Sequence, residues 1–157
     1  MIYFSTHYPS VAYPAPDRSG GLYLAQLGAI HAIASHFTVH DDAAIITMPT
    51  GSCKTAVLMM TPFVLRKSRV LVITPSRLVR EQIAEDFQGL RTLRLAKVIP
   101  DPVPSPKVYE LKQRITAESE WESLSKFDVV VSTPKCASPS YAQIPPTPRG
   151  LFDLLLV

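Results

Sequence analysis

Only two cysteines occur among the 157 residues, Cys53 and Cys136. They stand in no metal-ligand spacing and have no nearby partner, which excludes a disulfide framework and fits a reducing compartment. Long apolar runs are missing too. The most apolar stretch, residues 56–65, is interrupted by Thr61 and Pro62 and falls well short of the roughly 20 residues that span a bilayer. The first residues have neither the basic start nor the apolar run of a secretory signal, so a cytoplasmic protein without membrane contact is expected. Charge of one sign is in small excess: 16 Lys and Arg face 13 Asp and Glu, a net +3 with a pI near 9.0. That balance is compatible with nucleic-acid contact and does not argue for it alone. With 46% hydrophobic and only 18% charged residues, the chain is no disordered polymer and suits one domain or part of one.

What is present alternates between two periods. Residues 1–21 are rich in Pro, Tyr, Ser and Gly and read as an irregular arm; 22–157 read as the domain. Leu24, Leu27, Ile30, Ile33 and Ala34 recur at helical spacing. The apolar run 43–48 reads as a strand, closed by Pro49, Thr50, Gly51 and Ser52 before a helix over 54–65. The theme repeats with a β-branched strand at 70–74 and a helix at 77–87 that carries Leu78, Ile83 and Phe87. Residues 91–99 read as a further strand, and Pro100, Pro102, Pro104 and Pro106 impose an extended connection. A helix over 110–124, a strand over 128–133, a Pro-rich loop over 136–150 and an apolar strand over 152–157 complete the chain. Apolar strands without polar alternation are expected where helices cover both faces of a parallel sheet. The fold class is α/β, a parallel sheet with flanking helices.

The chemistry concentrates in Met48, Pro49, Thr50, Gly51, Ser52, Cys53, Lys54 and Thr55. A loop between strand and helix aims backbone N–H groups and the helix dipole at one spot, where a phosphate can sit. Lys54 adds a point charge for the β- and γ-phosphates, and Thr55 offers a hydroxyl to Mg²⁺. The strict pattern G-x-x-x-x-G-K-S/T is not met, since Met48 takes the first glycine position and Cys53 the last. A Cβ at 53 should crowd the phosphate and resist the backbone angles glycine adopts there.

Pro-Thr-Gly-Ser-x-Lys-Thr is similar to motif I of the superfamily-two helicases, in which the first glycine is commonly absent. Other segments follow in that family's order. Leu24 to Ile30 resembles the upstream segment whose glutamine contacts adenine, which would make Gln26 the residue selecting ATP. The loop with Pro75, Ser76 and Arg77 looks like motif Ia, and Thr133 with Pro134 looks like motif Ib; both touch the nucleic-acid backbone in the family. Residues 152–157 resemble the strand that leads into the acidic Asp-Glu-x-His motif, and stop one residue short of it. The flavour is closest to the helicase-like subunits grouped with type III restriction enzymes.

The resemblance implies an incomplete RecA-like P-loop NTPase domain, with ATP and Mg²⁺ as cofactors and nucleic acid, DNA in preference to RNA, as partner. The rest of a helicase or restriction complex would be a second partner. Without the acidic motif and a second motor domain the polypeptide alone is not expected to hydrolyse ATP, and the expectation is a fragment or truncated product. The alternative is a non-catalytic remnant that holds nucleic acid or a partner through its basic loops. Arg77 and Arg80 would face the nucleic acid or be solvated helix residues. His36 and His40, four apart, have no third ligand in sequence and read as surface or packing residues, and Trp121 with Tyr109 and Phe127 reads as packing before a base-stacking platform.

Overall fold

A computed structural model describes residues 2–141 and 143–157. The helices are α1 (Tyr3–His7), α2 (Leu24–Val39), α3 (Lys54–Val64), α4 (Arg77–Gly89), α5 (Arg91–Leu95), α6 (Glu118–Ser123) and α7 (Pro134–Ala137). The strands are β1 (Val70–Ile73), β2 (Val108–Glu110), β3 (Val129–Ser132) and β4 (Leu154–Leu156). They form one sheet in the order β2-β3-β1-β4, with every pair parallel. Val70 stands opposite Val129 on one side and Leu154 on the other. Central β1 and β3 are buried almost throughout, as their unbroken apolar sequences require, while edge strands β2 and β4 are half-buried.

The chain divides into two compact units. Lys67–Gly89 and Ser105–Val157, with the first residues of the chain, hold the whole sheet. Its core gathers Leu71, Val130, Leu111, Ile115, Trp121 and Leu151. Helix α4 turns Arg80, Ile83, Ala84 and Phe87 inward at steps of three and four residues. The second unit, Phe4–Arg66 with Leu90–Pro104, is helical and contains no strand among its described residues. In it α3 packs on α2 and α5, and the Phe4 and Phe63 rings meet edge to face at 4.8 Å.

Three sequence expectations are corrected. Residues 43–48 form no strand: they are irregular, and Ile45 is 93% exposed. Strand propensity is realised only against a neighbouring ladder, and this segment belongs to the unit that has no strand. Residues 91–99 are not a strand either, since Arg91–Leu95 winds into α5. The Arg94 guanidinium then donates to the carbonyls of Asp101 at 2.7 Å and Val103 at 2.8 Å, holding the Pro-rich turn against the helix end. Helix over 110–124 is confined to Glu118–Ser123: Val108–Glu110 joins the sheet, and the Leu111 and Ile115 N–H groups donate to the Val131 and Cys136 carbonyls rather than within a helix.

Candidate functional site

The phosphate-loop sequence begins where the irregular segment ends and closes on the N-terminus of α3. Two left-handed residues shape it. Gly51 has φ 82°, and Cys53, the residue that caps α3, has φ 51° and ψ 61°. Cys53 thus takes the left-handed conformation that glycine adopts freely, where a side chain costs about 1–2 kcal/mol. A Cβ built on Gly51 would meet nothing within 4 Å, so the space beside the loop is open.

Three donors in the loop share one acceptor, the Pro49 carbonyl oxygen. The Ser52 N–H reaches it at 3.3 Å, the Ser52 hydroxyl at 2.7 Å and the Lys54 ammonium at 2.9 Å. At the other end, the Cys53 carbonyl accepts the first helical bond from the Ala56 N–H at 3.2 Å and a second from Gln26 Nε2 at 2.9 Å. Gln26 is 3% exposed, and its Oε1 accepts from the Tyr23 N–H at 2.7 Å, capping α2. One buried amide thus ties the start of α2 to the foot of the loop. The fold brings Gln26 to Cys53, and both lie in the helical unit with Pro49, Thr50, Gly51, Ser52, Lys54 and Thr55.

Residues Pro75, Ser76, Arg77, Thr133 and Pro134 lie in the sheet unit. They follow β1 and β3, which are adjacent and in register with Ile73 opposite Ser132, so the two loops leave the same end of the sheet. Pro75, Ser76 and Arg77 are exposed, and Ser76 Oγ caps α4 by accepting from the Val79 N–H at 3.3 Å. Thr133 is buried; it caps α7, with Pro134 in the first turn, and its hydroxyl points at Cys136 Sγ at 3.6 Å. The Thr74 hydroxyl bridges the loops by donating to the Ser132 carbonyl at 3.0 Å.

Arg80 does not face solvent with Arg77. It is 7% exposed and pairs through Nε with Glu110 Oε1 at 2.8 Å, while Lys112 pairs with the other oxygen at 3.1 Å. Burial would raise the Glu110 carboxyl, but hydrogen bonds and charge from Arg80 and Lys112 outweigh it and hold the group below its ordinary value. Nothing in the sequence links residues 80 and 110, which meet only because β2 lies beside α4. Trp121 is fully buried with Nε1 donating to the Pro145 carbonyl, as a core residue does. His36 stacks on His40 and lies 3.5 Å from Asp42, and no metal-binding group occurs among the described residues. No described helix is long and apolar enough to cross a membrane.

A family model described as "Type III restriction enzyme, res subunit" matches residues 20–155. Comparison with curated proteins and with solved structures gives no match.

Proposed function

Because the chain belongs to the type III restriction enzyme res subunit family, a helicase-like family of ATPases, we propose that loop 49–55 binds the triphosphate of ATP. The parallel α/β sheet is that of a partial RecA-like domain. The observation that carries the reading is the focus shared by the Ser52 N–H, the Ser52 hydroxyl and the Lys54 ammonium at the start of α3. Donors that converge on one point beside a helix N-terminus suit a cluster of phosphate oxygens. Thr55 would hold Mg²⁺ with the nucleotide, and the metal would neutralise phosphate charge. Gln26, buried with its amide engaged at Tyr23 and at the Cys53 carbonyl, would select adenine through its second N–H and second oxygen lone pair.

The strand-end loops supply the second contact of this reading. Pro75, Ser76 and Arg77, with Thr133 and Pro134, would follow the backbone of nucleic acid, DNA in preference to RNA. For Thr133 the hydroxyl would have to leave Cys136 Sγ. Nucleotide binding is the activity proposed for loop 49–55, and hydrolysis would further need acids that polarise water. The acids that polarise water would come from the rest of a helicase or restriction complex.

A fluorescent ATP analogue titrated with Mg²⁺ tests the loop. Lys54→Ala should weaken binding at least tenfold, and equal affinity of both proteins would remove the claim. DNA binding that falls steeply with salt yet ignores ATP would favour the non-catalytic reading instead.

A further inference from the structure

We infer that the phosphate loop is closed by its own main chain, and that the Pro49 carbonyl must turn away before a nucleotide can enter. The inference rests on the ATP reading above. It names the residue that gates that site. The donors that would serve a phosphate oxygen are engaged elsewhere: the Ser52 N–H, the Ser52 hydroxyl and the Lys54 ammonium all point at Pro49 O, at 3.3, 2.7 and 2.9 Å. The carbonyl therefore occupies the focus where the anion would sit.

The two ends of the loop differ in how firmly they are held, and this decides which end moves. At Cys53 the carbonyl is fixed by Ala56 and by the buried Gln26 amide. At Pro49 the chain arrives from residues 43–48, which are irregular and largely exposed, with no strand ladder. Opening therefore swings the Pro49 side about Gly51, whose left-handed φ of 82° and open surroundings make it the pivot. The exchange is favourable once it occurs. A carbonyl is a neutral acceptor, and an ammonium or N–H group binds a charged phosphate oxygen more strongly. Closure and binding use the same donors, so the two states exclude each other and nucleotide selects the open one.

Stopped-flow mixing with mant-ATP and Mg²⁺ reads the gate. The observed rate should level off at high nucleotide, at a plateau equal to the opening rate. Mant-ADP should reach the same plateau, because opening precedes contact with the ligand. Ser52→Ala removes one of the three closing bonds and should raise the plateau roughly two- to tenfold, whatever it does to the final affinity. A rate that climbs linearly with nucleotide, a plateau that differs between mant-ATP and mant-ADP, or one unchanged in Ser52→Ala would each overturn the gate while leaving ATP binding intact. Wild-type protein that binds neither nucleotide, or binds no better than Lys54→Ala, would overturn the ATP reading and the gate with it.

Discussion

Arg69 and Asp153 clamp each other's main chain. The Asp153 carboxylate accepts from the Ser68 N–H at 2.8 Å and the Arg69 N–H at 2.9 Å, while the Asp153 N–H donates to the Arg69 carbonyl at 3.1 Å. In return the Arg69 guanidinium donates to the carbonyls of Leu151 and Gly150. The clamp closes just ahead of β1 and β4 and sets their register, Val70 opposite Leu154. Arg69 thus uses its charge to hold the starts of two neighbouring strands together.

Asp153→Ala should lower stability by about 1–3 kcal/mol, the range for losing hydrogen bonds to a charged acceptor, reduced here because Asp153 is exposed. Urea unfolding monitored by circular dichroism measures it. Asp153→Asn keeps an acceptor and should recover part of the loss.

Two glycines predict opposite outcomes. A Cβ at Gly21 would lie 2.3 Å from the Ala15 carbonyl oxygen, at φ 107°, whereas at Gly28 inside α2 it would meet nothing within 4 Å. Gly21→Ala should cost about 2–4 kcal/mol, because backbone must shift. Gly28→Ala should gain up to about 1 kcal/mol from helix propensity. Thermal unfolding of both variants gives the comparison directly.

Cys53→Gly removes a side chain from a left-handed position. Its stability should rise by about 0.5–1 kcal/mol, part of the strain relief being offset by glycine's freedom in the unfolded chain. Nucleotide should bind about fivefold more tightly, read in the same fluorescence titration as Lys54→Ala. Unchanged affinity would show that the thiol does not crowd the phosphate.

Glu110 makes stability fall in acid. Its folded-state pKa lies below the ordinary 4.5, so its contribution is complete above that value and is lost as pH falls through the lower, folded pKa. Urea midpoints measured from pH 7 to pH 3 should decline across this window, and less steeply in Glu110→Gln. That variant should itself be about 2–4 kcal/mol less stable at pH 7, because it leaves the buried Arg80 guanidinium without its counter-charge.

Much of this architecture was legible in the residues. The apolar runs that became β1, β3 and β4 and the periodic stretches of α2 and α4 are local signals, and local signals survive folding. Residues 43–48 are an apolar run like those strands yet form none, because a strand is completed by a neighbour that composition does not specify. Gln26 was singled out by the resemblance of its segment, but its bond to the Cys53 carbonyl depends on how α2 packs on α3. The Arg80–Glu110 pair was invisible for the same reason: two ordinary surface-type residues become partners only when the sheet assembles.

Trp121 is the sole indole of the chain and lies in the core of the strand-bearing unit. Its emission is therefore a private signal of that unit, while ellipticity at 222 nm is dominated by α2, α3 and α4, the first two from the other. Denaturation curves from the two optical probes that superimpose would make the polypeptide one cooperative body; curves that separate would assign a melting order to its halves without any label being added.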